Sequence, residues 1–266
     1  MDRIGLFAAL FLYTLCIRAQ QPFRLSYTFT APAVEKVYVD ELGNVYTQSK
    51  SELRKYNMND TLFARYSELG NGNITTMDVT NPMRLTVFYA DFSRVLILDN
   101  TLNYLRNTID LMEEGMEQVL AVCSSYDGGL WMYNRDNFTL QRFNVQLKPD
   151  RSIPNLNTVI SADFRPEMML EKENVLYIYD RGTGIHLFDI YAGYLKTLPL
   201  AVNGTFAVLD NSIYWVDKNE LHRYSMQRFT EDTWPLAPPS VSAFGLGRKK
   251  MALYAGGKVY VYTIEN

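Results

Sequence analysis

Carboxylates recur at a similar place in five segments of the sequence, close behind a short apolar run. They are Asp40, Asp91, Asp127, Asp180 and Asp210. Glycoside hydrolysis needs only two carboxylates at a separation of about 5 to 9.5 Å, so a ring of these groups on one face could act on a sugar or bind a cation. The alternative is local, because a turn Asp often hydrogen-bonds to the backbone of its own turn. We favour the local role, since a repeated turn repeats its Asp without any chemistry.

Aromatic side chains near a glycine pair offer a different kind of site, for binding rather than catalysis. Tyr126 and Trp131 flank Gly128-Gly129 and, if exposed, would present flat surfaces for stacking against a sugar or a protein. Core packing is the favoured alternative for Trp131. The candidate binding residues, all in or beside turns, are Tyr126, Asp127, Trp131, Asp180 and Arg181.

Residue types that usually carry catalysis are scarce. His186 and His222 are the only histidines and lack the spacing of metal ligands, so we predict no metal site. The sequence contains no Gly-x-Ser-x-Gly elbow, no glycine-rich phosphate loop and no Cys-x-x-Cys pair. No catalytic residue can be assigned, and we expect no cofactor.

The charge distribution argues against nucleic-acid binding. The formal net charge is −3, and the basic residues are scattered apart from Arg248, Lys249 and Lys250. Nucleic-acid binding requires a basic face that displaces phosphate counterions. We therefore expect no nucleic-acid partner.

The elements that would position these residues form a repeat. Each unit has an apolar strand, a turn with Gly or an acidic residue, a second apolar strand and a shorter third strand. The predicted first strands are Lys36 to Asp40, Leu85 to Asp91, Val119 to Val122, Val175 to Asp180, Thr205 to Asp210 and Met251 to Ala255. The strands are rich in β-branched and aromatic residues, and the turns contain Gly, Asn and Asp as hairpins require.

Recurrence of this unit predicts an all-β fold, a single β-propeller of about six blades. The chain ends after the second strand of the last unit, while Phe23 to Thr30 alternates like a strand and has no hairpin partner. We therefore expect this N-terminal strand to complete the last blade and close the ring, which removes exposed sheet edges. The long connections at 61–81, 144–166 and 229–239 are candidates for outer strands.

The N-terminal residues resemble a signal peptide. A charged start at Asp2 and Arg3 precedes an apolar run to Cys16 and a small residue, Ala19, at the expected cut. The run is shorter than the roughly 20 apolar residues that span a bilayer. We predict a signal peptide at 1–19, a propeller domain at 20–266, and export to the periplasm or the extracellular space with no transmembrane span after cleavage. Lipid anchoring through Cys16 ranks second, because the preceding Leu15 is bulky.

The unit KVYVDELGNVYTQSKSELRKYNMND, at 36–60, resembles blades of NHL, YVTN-type and PQQ-like propellers. In those blades an apolar strand, an Asp-Gly type turn and a second apolar strand recur, and the similarity extends over 22–266. Tryptophan-Asp signatures of WD blades and double-glycine signatures of kelch blades are missing. The whole chain is similar to small secreted propellers of Bacteroidota. That resemblance implies an envelope or extracellular location and a binding role, and it transfers no catalytic residue.

These expectations favour a noncatalytic scaffold that binds an envelope or extracellular protein partner through one propeller face. The alternative is a carbohydrate-active enzyme or glycan-binding propeller that uses carboxylates around the central channel. A quinone-dependent dehydrogenase is a third and less favoured alternative, because the sequence shows no evident set of cofactor ligands. A funnel with two free carboxylates beside exposed aromatics would favour the enzyme, and a flat or apolar face would favour the scaffold.

Overall fold

The computed structural model describes residues 22–57 and 61–265, and these residues form six sheets of four antiparallel strands. Blade 1 contains β2 (Lys36–Val39), β3 (Val45–Ser49), β4 (Glu52–Tyr56) and β5 (Leu62–Ser67). Blade 2 contains β6 (Thr76–Asp78), β7 (Leu85–Tyr89), β8 (Arg94–Leu98) and β9 (Ile109–Asp110). Blade 3 contains β10 (Val119–Ser124), β11 (Leu130–Asn134), β12 (Thr139–Phe143) and β13 (Pro149–Ile153).

The second half of the ring has the same plan. Blade 4 contains β14 (Pro166–Lys172), β15 (Val175–Asp180), β16 (Gly184–Asp189) and β17 (Tyr194–Leu198). Blade 5 contains β18 (Phe206–Leu209), β19 (Ser212–Asp217), β20 (Glu220–Ser225) and β21 (Thr230–Pro235). Blade 6 contains β22 (Ala243–Leu246), β23 (Lys250–Ala255), β24 (Lys258–Ile264) and β1 (Phe23–Thr30). One α-helical turn, α1 (Leu156–Val159), and a 3-10 turn at Leu69–Asn71 lie in connections.

The six-bladed propeller predicted from the repeat is confirmed, and so is its closure by the N-terminal strand. β1 pairs antiparallel with β24 from Phe23 opposite Ile264 to Thr30 opposite Lys258. Phe29 on this strand contacts Tyr56 of blade 1, with ring centroids 4.3 Å apart. β1 and β24, the first and last described strands, therefore pair with each other to complete blade 6, and β1 also contacts blade 1.

The predicted repeat unit was out of phase in half of the blades. The segments beginning at Leu85, Val175 and Met251 were predicted as first strands, but they are the second strands of blades 2, 4 and 6. The innermost strands there are β6, β14 and β22. The long connections supply outer strands β5, β13 and β21, as expected.

The antiparallel order within each blade gives the ring two distinct faces. The innermost strands all end at the same face, which we name the front face. It carries the turns at 40–44, 79–84, 125–129, 173–174, 210–211 and 247–249. Contacts between turns support this placement, because Glu173 accepts hydrogen bonds from the backbone N–H groups of Asp210 and Asn211. The back face, where the innermost strands begin, carries the turns between second and third strands.

The hydrophobic core lies between neighbouring blades. Each of six buried clusters joins side chains of two blades; Trp131 and Tyr133 of blade 3, for example, pack with Leu176 and Ile178 of blade 4. Cys123 is fully buried in the same cluster, where it packs as a small core residue. No helix within the described residues is long and apolar enough to cross a membrane. The predicted signal peptide at 1–19, including Cys16, lies outside the described residues.

Candidate functional site

A narrow channel runs along the ring axis, lined by the innermost strands of all six blades. Its cavity volume is about 100 Å³, room for several water molecules but well below the roughly 300 Å³ at which small-molecule pockets begin. At the front end, the Lys172 ammonium of blade 4 forms an ion pair with Glu41 of blade 1. Blades 1 and 4 are opposite each other in a six-membered ring, so this ion pair crosses the channel mouth.

Carboxylates at the two ends of the channel are already paired. Glu41 also lies 3.4 Å from the Nε atom of Arg248. At the back end, Arg181 donates two hydrogen bonds to Glu167, of 2.9 and 3.1 Å. Lys36 donates to the carbonyl of Thr75 at 2.6 Å, and burial lowers its pKa against the opposing effect of Glu35 and Glu167. Glu41 and Glu167 are therefore both paired with cations, and Asp78, which also lines the channel, accepts hydrogen bonds from the N–H groups of Thr80 and Ser124. The carbohydrate-enzyme alternative requires two carboxylates that are free of such partners.

The front face differs from the channel because it exposes large apolar side chains. At least one comes from a turn of each of blades 1 to 5: Leu42, Met83, Tyr126, Val145, Tyr191 and Phe229. Outer strands and connections near this face add Leu62, Phe63, Leu105, Tyr194 and Leu195. Among the described residues, the back face exposes fewer large apolar side chains: Leu69, Phe92, Met112 and Val159. Exposed apolar groups on a polar rim are typical of interaction surfaces.

Tyr126, one of the predicted binding residues, occupies a prominent position on the front face. Its side chain is 61% exposed, and its ring lies 4.7 Å from the guanidinium carbon of Arg142. Arg142 itself is buried and donates through Nε to the hydroxyl of Ser125 at 2.8 Å. The cation on one side of the ring favours a fixed orientation of Tyr126, and the other side of the ring is exposed.

A buried carboxylate from the neighbouring blade supports this turn. Glu171 of β14 accepts hydrogen bonds from Ser125 Oγ at 2.9 Å, from the Tyr126 backbone N–H at 2.8 Å and from Trp131 Nε1 at 2.5 Å. All three donors belong to blade 3. Glu171 therefore fixes the Tyr126 turn to blade 4 and gives the front face a rigid support.

The predicted binding residues do not form one site. Asp127 lies beside Tyr126, where it accepts from the Gly129 N–H at 2.9 Å and forms an ion pair with Arg142 at 2.6 Å. Trp131 is fully buried, as its core alternative predicted. Asp180 and Arg181 lie on the back face, at the turn between β15 and β16. Only Tyr126 and Asp127 remain together on an accessible surface.

A single ring of Asp carboxylates is excluded by the topology. Asp40, Asp127 and Asp210 follow innermost strands on the front face, whereas Asp91 and Asp180 follow second strands on the back face. Several have the local role. Asp40 accepts from the N–H groups of Leu42 and Asn44, and Asp180 accepts from Gly182 and Thr183.

Histidine and metal chemistry find no support in the geometry. His186 is buried between Thr183 and Thr197, whose hydroxyls lie 2.7 Å from its two ring nitrogens. Burial lowers its pKa to about 4, so the ring is neutral near pH 7. His222 stacks on Trp215 at 5.0 Å and contacts Glu231. Over the described ranges, no group of three or more His, Cys, Asp or Glu side chains is placed to bind a metal ion.

Sequence reasoning missed the residues that organise this face. Glu171 and Arg142 lie in strands rather than turns, and both are far from Tyr126 in the sequence. Only the order of strands within the blades brings them together. The sequence offered one clue to Glu171 and Arg142. Charged residues inside apolar strands such as β12 and β14 require a buried partner.

Comparisons with known proteins identify the fold but not a family. No protein-family model matches the sequence, and no curated protein matches it. The WD40 domain of Neurospora crassa Pan2 has a TM-score of 0.61 at 10% identity, over 92% of this chain and 96% of that one. Virginiamycin B lyase from Staphylococcus aureus has a TM-score of 0.60 at 10% identity, over 91% and 99%. The Cps50 (Swd1) β-propeller domain of Myceliophteria thermophila has a TM-score of 0.61 at 10% identity, over 91% and 100%. At such identities the likeness is one of fold alone.

Proposed function

We propose that the protein is a noncatalytic binding scaffold that holds a protein partner on its front face. The observation that carries this proposal is the set of exposed apolar side chains, at least one from each of blades 1 to 5, on a single face. Large aromatic side chains supply much of the energy of protein interfaces. Tyr126, Tyr191 and Phe229, each more than 60% exposed, are the expected anchors.

The chemistry of the ring favours binding over catalysis. The narrow channel is crossed by the Lys172 and Glu41 ion pair, and Glu167 at its back end is held by Arg181. A glycosidase site needs two carboxylates free to exchange protons with substrate and water. The front face instead offers broad apolar contact on a rigid support, which is what a scaffold requires.

The location of the partner is also a proposal. The charged and apolar pattern of residues 1–19 supports export, and the scaffold would then act in the periplasm or outside the cell with a partner of the envelope. The partner is expected to present an apolar patch, because the exposed anchors would lose their hydration on contact.

Site-specific photocrosslinking in the native cell tests the proposal. Benzoylphenylalanine replaces Tyr126, Tyr191 or Phe229 on the front face, and Phe92 on the back face serves as the matched aromatic control. An affinity tag should be inserted between Glu113 and Glu114, in an exposed turn of the back face. Glu265, next to the end of the sequence, pairs with Arg24 beside the front face, so a C-terminal tag would obstruct the surface.

The expected result is one crosslinked protein shared by the three front-face positions and absent at Phe92. Crosslinks at Phe92 with none from the front face would contradict the proposal. So would a glycan that binds the purified protein and is lost in Tyr126→Ala, if no front-face position crosslinks to a protein.

A further inference from the structure

Two arginine side chains lie half-buried between blades 2 and 3, and neither forms an ion pair with a carboxylate of the described residues. Arg84 ends the front-face turn that follows β6, and Arg106 lies in the segment that leads to β9. The backbone N–H of Arg84 donates to the Asn81 carbonyl at 3.0 Å, whereas its guanidinium makes no hydrogen bond or ion pair with any of the described residues. Arg106 donates one hydrogen bond, to the Val145 carbonyl at 3.2 Å.

Both guanidinium groups approach the same pair of turns in blade 3. A Cβ atom placed on Gly128 would lie 3.7 Å from the Nε atom of Arg84 and 3.5 Å from Cγ2 of Val145. Arg106 binds the carbonyl of that same Val145. Arg84 therefore lies beside Gly128, in the turn that carries Tyr126, and Arg106 lies beside Val145, in the next front-face turn of blade 3.

The positive charges of Arg84 and Arg106 repel each other, and neither arginine forms an ion pair within the described ranges that would offset the repulsion. Burial, followed by the charge of Arg106, lowers the pKa of Arg84. The enclosed Nη1 atom of Arg84 has no hydrogen-bond partner among the described residues. Leaving a buried donor of a charged group unpaired is costly, so such a group favours the arrival of an acceptor.

Asp127 and Asp78, the two carboxylates whose charges act on Arg84, have other hydrogen-bond partners. Asp127 is engaged by the Gly129 N–H and by Arg142. Asp78 accepts from the Ser124 N–H at 2.8 Å and from the Thr80 N–H at 2.8 Å. Their charges reach Arg84 only at longer range, where they oppose the lowering of its pKa without forming an ion pair.

We infer that Arg84 and Arg106 form a binding site for an oxyanion, a carboxylate or phosphate group presented by the protein partner of the front face. The inference rests on the proposed scaffold function and specifies the chemistry of its partner. Guanidinium forks bind such groups through paired charge-assisted hydrogen bonds. An open depression of about 530 Å³, lined by residues 104–108, adjoins Arg106 and leaves room for the approaching segment. Exposed Met83 directly precedes Arg84, and exposed Val145 accepts the hydrogen bond from Arg106, so an acidic residue next to an apolar one fits best.

The test measures peptide affinity by fluorescence polarisation with the full chain. The probes are a labelled Asp-Glu-Asp-Leu-Tyr peptide, its Asn-Gln-Asn-Leu-Tyr counterpart, a phosphoserine version, and inorganic phosphate as competitor. Arg84→Gln and Arg106→Gln are compared with Arg228→Gln, an exposed arginine on the same face that supplies the same loss of charge.

We expect an acidic or phosphorylated peptide to bind on the order of tenfold more tightly than the neutral peptide, the effect of a hydrogen bond to a charged group. Arg84→Gln and Arg106→Gln should each abolish this preference, and Arg228→Gln should retain it. The thermal midpoint of Arg84→Gln should not fall, because the variant removes a repulsion, and this shows that the fold is intact.

Equal affinity for acidic and neutral peptides would overturn the inference, and so would an equal loss in Arg228→Gln. Binding of inorganic phosphate without any preference among the peptides would also overturn it, since the anion would then be free rather than presented by a protein. The photocrosslinks from Tyr126, Tyr191 and Phe229 do not depend on charge. If they persist while the peptide preference is absent, the anion site fails and the scaffold function stands.

Discussion

Replacing Glu171 by Ala should destabilise the propeller at the junction of blades 3 and 4. Three donors would lose their acceptor: the Ser125 hydroxyl, the Tyr126 N–H and the Trp131 indole N–H. A buried donor without a partner costs about 1–3 kcal/mol. Because water can enter part of the space, we expect a loss of about 3 to 5 kcal/mol in the free energy of unfolding.

For a chain of this size, 1 kcal/mol shifts the thermal midpoint by about 2–4 °C, so the midpoint should fall by on the order of 10 °C. Circular dichroism gives the midpoint, and urea unfolding followed by tryptophan fluorescence gives the free energy. Glu171→Gln retains one oxygen acceptor and should fall between Glu171→Ala and the wild-type protein. In nuclear magnetic resonance spectra, the Trp131 indole proton should shift upfield in both variants.

Glu113→Ala is the matched control, because Glu113 is exposed in a turn of the back face. Surface changes of this kind stay within about 0.5 kcal/mol. If the midpoint of Glu171→Ala falls no further than that of Glu113→Ala, then Glu171 does not join blades 3 and 4, and the argument for a rigid front face is refuted.

Two further predictions concern the backbone and the buried imidazole. Gly129→Ala should lower the free energy of unfolding by about 3 kcal/mol or more, because its Cβ would lie 2.0 Å from the Phe143 carbonyl oxygen. Gly70→Ala, whose Cβ would have no atom within 4 Å, should leave the free energy of unfolding nearly unchanged in the same urea titration. For His186 the folded pKa of about 4 lies below the usual 6.5, so the unfolded chain binds more protons between these values. Stability should therefore decline by up to about 3 kcal/mol as the pH falls from 6.5 to 4, and an equally steep decline in His186→Gln would contradict this assignment.

The sequence predicted the number of blades because hairpins with apolar strands dominate each blade. It failed on the phase of blades 2, 4 and 6 because their innermost strands lack that pattern. β14 carries Glu167, Glu171 and Lys172 toward the channel and the blade interface. β22 contains Gly245, whose Cβ would lie 2.8 Å from the Val37 carbonyl. Strands that line a narrow axis require small or polar residues, and these weaken the apolar signal of a buried strand.

The candidate site was predictable only in part, for the same reason. Tyr126 and Asp127 were found because their turn has a recognisable composition. Arg84, Arg142 and Glu171 come from three different blades, and their meeting depends on which strand is innermost. The error in phase also grouped Asp180 with Asp40, although the structure places them on opposite faces.

The pairing of β1 with β24 has a mechanical consequence. Phe23 lies opposite Ile264, and the Glu265 N–H donates to the Pro22 carbonyl, so both described ends of the chain meet at one end of the same strand pair. A force that pulls these two ends apart first loads the β1–β24 hydrogen bonds nearest the front face. It then loads each following residue pair of the two strands in turn. The seam would peel open at low force, although the same bonds acting together protect the ring against spontaneous opening.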